Sequence, residues 1–171
     1  IRLMNIFGMI PARMGSKRIK KKNIRLLNGR PMIEYAIKAA KYSKLLTGAY
    51  LNSESKLLGS IAKKNGIEFY ERDVSRATDD AKQEDFNYDF IKSTGADVLV
   101  MINPVSPLIT SADVDAVIQF YLDNEFDTVI TTEDLRQQAF YKNEPINIDK
   151  HQILQPTQSL SPIQLCAWSI T

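Results

Sequence analysis

The stretch Ile10-Pro11-Ala12-Arg13-Met14-Gly15-Ser16-Lys17-Arg18-Ile19-Lys20-Lys21-Lys22-Asn23 decides how this chain is read. Six of its fourteen residues are Lys or Arg, and none is acidic. It follows the apolar run from Met4 to Ile10, which has the composition of a strand buried on both faces. A buried strand that feeds a basic, glycine-containing loop and then a helix is how α/β proteins hold phosphate. Backbone N–H groups line a concavity and cationic side chains close over it. The competing interpretation of Lys20–Lys22 is a solvated helix face, but Gly15-Ser16 would interrupt such a helix. We therefore read the loop as a cradle for a triphosphate. It is neither of two common phosphate loops. The spacing of Gly8 and Gly15 and the order Ser16-Lys17 do not fit G-x-x-x-x-G-K-[ST], and no G-x-G-x-x-G occurs.

Charge is placed unevenly around this loop. Residues 1–33 hold nine Lys or Arg and no acid, while the rest of the 171 residues hold thirteen bases and twenty acids. A local positive field beside an acidic body suits a compact polyanion better than a nucleic acid, whose binders spread their charge along a face. Hydrophobic residues make up 44% and charged residues 25%, as in ordinary globular domains, and no run approaches the length of a membrane span. A cytoplasmic protein that binds neither nucleic acid nor membrane is the default expectation, with Met4 as its natural start. The single cysteine, Cys166, leaves no internal disulfide, and with the single histidine, His151, it argues against structural zinc. Cys166 is expected to be an inert buried thiol and Trp168 a core or interface aromatic.

Outward from the loop, strands alternate with helices. Strands are expected at Met4–Ile10, Gly48–Leu51, Ile67–Tyr70, Asp97–Ile102 and Thr128–Thr131, with Ile163–Ile170 as a returning strand. Helices are expected over 31–44, 55–65, 83–94 and 111–124, with Pro31 in a first turn, caps at Ser53 and Ser111, and a stop at Asn65-Gly66. This predicts a three-layer, Rossmann-like α/β domain with a mostly parallel sheet. In such folds the loops at the carboxyl ends of the strands form the ligand crevice. The cradle, the polar loop 71–80 and the proline-braced loop Asn103–Leu108 should therefore converge. From Glu133 the pattern breaks into short extended pieces. Residues 133–163 are expected to form a dimerisation excursion, since Phe140, Tyr141, Ile146, Ile153, Leu154 and Leu160 need cover.

The motifs P-A-R-x-G-S-K-R-x-x-x-K-N at 11–23 and N-G-x-P-M-I-x-Y-A-I at 28–37 resemble the acylneuraminate cytidylyltransferases, or CMP-sialic acid synthetases. Weaker echoes are Arg72 with Ala77-Thr78-Asp79-Asp80-Ala81, and Asn103-Pro104-Val105-Ser106-Pro107-Leu108. The resemblance implies a nucleotidyltransferase that moves CMP from CTP to a 2-keto sugar acid, releases pyrophosphate, uses Mg²⁺ and forms a homodimer. It places Ala12, Arg13, Gly15, Ser16, Lys17 and Asn23 at the nucleotide. It places Arg72, Ala81 and Gln83 at the cytosine ring, and Lys22, Asn103 and Ser106 at the sugar acid. Arg13, Lys17 and Lys22 are the expected catalytic cations, neutralising charge on the leaving pyrophosphate. For Arg72 the alternative is a loop cation paired with Asp73 or Asp79. For Ser106 it is a brace of the proline loop.

Three departures from the family pattern stand out. Val105 and Ile109 replace Thr and Arg of Q-P-T-S-P-L-R-T. Asn52-Ser53-Glu54 stands for S-T-D, and Gln164-Leu165-Cys166-Ala167 stands for R-P-N-G. The family's metal-binding Asp pair would fall downstream of Thr171, so the single domain is expected to be cut short at its C-terminus and its metal ligands are unknown. A nucleotide-binding module of the same fold, without turnover, is the alternative function.

Overall fold

The computed structural model describes residues 3–15, 19–149, 151 and 155–171. The chain divides into two compact units, Ile1–Val129 with Ser169–Thr171, and Ile130–Trp168.

The first unit opens with strand β1 (Ile6–Pro11). After the cradle and a 3-10 turn at Lys22–Ile24 come two short strands, β2 (Leu26–Leu27) and β3 (Arg30–Pro31), joined by Asn28 and Gly29 at φ 49° and 76°. Asn-Gly favours such a hairpin turn because both positions accept positive φ. Pro31 thus sits in β3 and not in a first helical turn. Met32 N–H donates to Arg25 O at 2.8 Å, closing the hairpin before helix α1 (Ile33–Lys41) begins. There follow β4 (Gly48–Ser53), α2 (Lys56–Asn65), β5 (Glu68–Glu71), α3 (Gln83–Thr94), β6 (Val98–Met101) and α4 (Ser111–Leu122).

Two helix starts differ from the sequence expectation, one through strand pairing and one through a local capping box. β4 runs on to Ser53, which is fully buried and in register with Glu71. The cap therefore moves to Ser55, whose side chain accepts from Leu58 N–H. At α4 the cap is Thr110 and not Ser111. Its hydroxyl accepts from Asp113 N–H, and the Asp113 carboxylate receives Thr110 N–H at 2.8 Å, a reciprocal capping box.

The four strands form a parallel sheet in the order β5-β4-β1-β6. The chain steps outward from β1 to β4 to β5, then crosses back to add β6 on the other side of β1. Right-handed crossovers put α1 and α2 on one face and α3 on the other, and the order reverses at β1. Strand residues alternate between the faces. Ile6, Ile10, Leu51, Val100 and Ile102 pack with α1, α2 and α4, while Met9 and Met101 pack with Phe90 of α3. Gly59 lets α2 lie against the Phe69 ring, which a Cβ there would meet at 2.8 Å.

In the second unit, β7 (Thr132–Leu135) pairs antiparallel with β10 (Ile163–Cys166). The strand expected at Thr128–Thr131 is thus displaced: residues 128–130 are β-branched but have no ladder partner among the described residues, and pairing starts at Thr132. The returning strand ends at Cys166, and Trp168 takes φ 52°. A hairpin of β8 (Phe140–Tyr141) and β9 (Glu144–Pro145) lies between them. Asn147 ties this unit together, donating to Gln137 O at 2.8 Å and Ser161 O at 2.9 Å. Cys166 is exposed and not buried as expected, and Leu160 is buried within the chain, 1% exposed. Phe140, Tyr141 and Ile146 remain exposed, and Ile153 and Leu154 lie outside the described residues. Among the described residues no helix is long and apolar enough to cross a membrane.

Candidate functional site

The carboxyl ends of the strands in the first unit enclose a cavity of about 330 Å³. All three expected loops reach it: Pro11 to Arg13 with Lys22 and Asn23, the segment Arg72 to Ala81, and Asn103 to Val105. Its described lining carries four cations, Arg13, Lys22, Arg72 and Arg76, against one carboxylate, Asp79. That excess of positive charge in a concave, partly enclosed space suits an anionic ligand. A second cavity of about 360 Å³ lies along β6, but Ile91, Val98, Leu99, Val117 and Ile118 line it and its charged residues are acidic, Asp97 and Asp127. It offers a polyanion nothing.

The cradle is held from β4. Ala12 N–H donates to Asn52 O at 3.0 Å, extending the ladder one step past β1. Met14 N–H donates to Glu54 Oε1 at 2.9 Å. Arg13 reaches across the mouth to Asp79, 2.6 Å away, both side chains about one third exposed. Asn23 sits beneath, 4% exposed; its Nδ2 donates to Arg13 O at 3.0 Å, and its Oδ1 has no hydrogen-bond partner among the described residues. A buried orphan acceptor facing a cavity is costly unless a ligand donor completes it.

Arg72 lies at the other wall, only 5% exposed. Its Nε donates to Asn52 Oδ1 at 2.6 Å and one Nη to Asn52 O at 2.9 Å. The guanidinium lies 4.1 Å from the centre of the Phe86 ring. Burial is the main cause that lowers its pKa to about 10, with nearby Glu54 opposing and Arg13 adding to the shift. It remains charged at neutral pH, and among the described residues no carboxylate pairs with it. The pairing with Asp73 or Asp79 offered by the sequence does not form: Asp73 caps its own turn through Ser75, and Asp79 holds Arg13. Arg76, further along the same wall, is held 2.5 Å from Asp89 of α3, which also accepts from the Tyr70 hydroxyl at 2.7 Å.

Residues 7–163 match the model of a family described as cytidylyltransferase. The chain belongs to the cytidylyltransferase family. It is 32% identical over 146 residues to post-translational flagellin modification protein B of Campylobacter coli, covering 81% of this chain and 62% of that one. It is 31% identical over 121 residues to the N-acylneuraminate cytidylyltransferase of Escherichia coli O18:K1:H7, covering 68% of this chain and 28% of that one. Among solved structures, a CMP:2-keto-3-deoxy-manno-octonic acid synthetase complexed with CTP superposes with a TM-score of 0.67 at 18% identity, over 94% of this chain and 71% of that one. That likeness shows a shared fold. The chain spans less than two thirds of the length of both curated relatives.

Of the residues singled out from sequence, Ala12, Arg13, Lys22, Asn23, Arg72, Ala81, Gln83 and Asn103 all line the cavity of this family member. Ser16 and Lys17 lie outside the described residues. Gly15 is exposed, and a Cβ there would meet nothing within 4 Å, so internal packing does not require glycine. Ser106 is placed differently from its substrate-binding expectation. Its hydroxyl sits 3.1 Å from Ser169 Oγ, and it lines a shallow hollow with Pro107 and Leu108, where it braces the loop. Sequence reasoning missed Arg76, Thr78, Asp79, Phe86 and Val105 as lining residues and Asn52 as their anchor. Arg76 was detectable as a second cation in a loop already assigned to the crevice. Asn52 stood out only as a departure from the family's S-T-D, one residue past the expected strand, and Phe86 lay inside the expected helix 83–94 with no mark of the cavity.

Proposed function

We propose that this chain binds CTP in the cationic cavity and transfers CMP to a 2-keto sugar acid of the sialic-acid class, releasing pyrophosphate. The observation that carries this reading is the convergence of Arg13, Lys22, Arg72 and Arg76 with the orphan acceptor of Asn23 on one cavity at the sheet's topological switch point. Nucleotidyl transfer depends on positioning and on neutralising charge as it builds on the leaving group. Arg13 is the group for that task. Its ion pair with Asp79 is exchangeable, and a guanidinium can hold two phosphate oxygens at once. Lys22 supplies a second point charge from the floor of the cradle. Asn23 Oδ1 would accept from a sugar hydroxyl of the nucleotide, and Arg72 would donate to the base. Asn103, with its Oδ1 already accepting from Val105 N–H at 3.2 Å, would offer its amide to the sugar acid.

Among the described residues no group of three or more His, Cys, Asp or Glu could hold a metal ion, and Asp79 in the cavity is engaged by Arg13. The described side chains do not form a Mg²⁺ site, and the transfer is argued from the cations alone. A cytoplasmic homodimer pairing through residues 133–163 and binding no nucleic acid belongs to the same reading. The exposed Phe140, Tyr141 and Ile146 support the pairing surface.

Pyrophosphate release with CTP and a panel of sugar acids, including N-acylneuraminate and 3-deoxy-manno-octulosonate, tests the activity. Release that depends on both substrates supports it. CTP-dependent thermal stabilisation with no pyrophosphate from any acceptor would leave a nucleotide-binding module instead.

A further inference from the structure

We infer that Asn52 is a specificity-positioning residue: it fixes the buried Arg72 guanidinium so that the pocket accepts cytosine and rejects uracil. The inference rests on the CTP reading above and adds how the base is told apart. Asn52 is fully buried, and both of its oxygens are engaged at the site. Its backbone oxygen receives Ala12 N–H from the cradle and an Nη of Arg72, and its Oδ1 receives Arg72 Nε at 2.6 Å. Its Nδ2 donates to Met9 Sδ at 3.1 Å. Since Arg can only donate, the amide must present its oxygen to Arg72 and its nitrogen to the sulfur. The orientation of the amide is thereby decided from both ends.

The consequence is a guanidinium with one edge spent on Asn52 and one face laid on Phe86. The second Nη has no partner among the described residues, and Arg72 lines the cavity. A donor held at a set angle suits a base edge made of acceptors. Cytosine offers O2 and N3 as acceptors, whereas uracil places an N–H at position 3. A free arginine could swing away from that N–H; one clamped by Asn52 and Phe86 cannot, and donor then meets donor. Arg72 makes the contact, and Asn52 acts through it.

The test is calorimetric titration of the full chain with CTP and with UTP, on wild type, Asn52→Ala and Asn52→Asp. Wild type is expected to prefer CTP by about tenfold or more. Asn52→Ala should cut that ratio at least about threefold, mainly by strengthening UTP relative to CTP. Asn52→Asp keeps an oxygen facing Arg72 Nε and should retain the ratio, although it loses the donor to Met9. If Asn52→Ala does not give a cooperative thermal melt, Asn52→Ser replaces it with the same expected loss. An unchanged ratio in the Ala or Ser variant overturns the inference. So does a ratio lost equally in the Asp variant, which would make the Met9 contact the important one. A wild type without preference overturns it too, even if pyrophosphate is released from CTP. A CTP preference that depends on Asn52, in a protein that releases no pyrophosphate, would sink the catalytic reading and leave this one standing.

Discussion

Helices α1, α2 and α4 cover one face of the parallel sheet with Ile, Leu, Val and Ala, whereas α3 covers the other with Phe90 set on Met9 and Met101. On this second face Phe90 meets Tyr50 and Tyr70 edge-on, with ring centres 5.2 Å apart in each pair. The same strands supply both faces, residue by alternate residue, yet the faces serve different ends. The aliphatic face holds the layers together. The aromatic face runs up the strands into the cavity: Met9 meets Asn52, Phe86 underlies Arg72, and Tyr70 bonds the Asp89 that holds Arg76. Aromatic rings fill volume as well as aliphatic groups do, and they also accept a cation on their faces and carry hydroxyls. A buried arginine needs such surroundings, which an aliphatic core could not provide.

If this division holds, damage to the aliphatic face should cost stability and leave the site intact. Leu58, fully buried on the inner face of α2, gives the largest expected effect. Leu58→Ala should lower the unfolding free energy by about 2–5 kcal/mol in denaturant titration, with nucleotide affinity unchanged in the protein that remains folded. A parallel loss of affinity would break the comparison. On the site side, Arg13→Ala should weaken CTP binding by about 1.5–3 kcal/mol. Its melting temperature should barely move, because the Arg13–Asp79 pair is partly exposed and contributes little. Next comes Phe86→Leu, which keeps the apolar contact but removes the ring under Arg72. It should weaken CTP binding by about 0.5–2 kcal/mol, read by titration, and stability should change less.

The smallest expected effect tests the aliphatic face again, through the cap of α4. Hydrogen bonds from the Thr110 hydroxyl and then its N–H hold the Asp113 carboxyl below its ordinary pKa. A depressed carboxyl contributes stability that is present above its unfolded value of about 3.9 and is lost as pH falls through the lower folded value. Asp113→Asn should therefore melt lower than wild type at neutral pH, and the gap should close on acidification below about pH 4. CTP affinity should be the same for both.

Much of the fold was legible because its signals are local. The apolar run before the cradle, the helical spacing of Ile33, Ala36, Ile37 and Ala40, and the stop at Gly66 all encode structure within a few residues. The convergence of three loops followed from strand alternation and crossover handedness alone. The cap of α2 was misplaced by two residues because the length of β4 depends on its distant partner β5. The cap of α4 was misplaced by one because Ser111 and Thr110 are both cap formers and only the Thr110–Asp113 pair closes the box. The strand at Thr128–Thr131 was misplaced because β-branched composition marks a willingness to extend, while an actual ladder needs a neighbour, here β10.

From its sequence alone this chain determined a phosphate-facing loop after a buried strand and an α/β order that brings three polar loops to one edge. Arg72 shows what tertiary structure decided. In sequence it is a loop cation beside two acids. In the fold it is buried, turned from both acids, bonded to Asn52 twenty positions away and laid on Phe86. Periodicity can place a residue on a face, but the partner of a buried charge is set by which strands become neighbours, and that is known only once the sheet has formed.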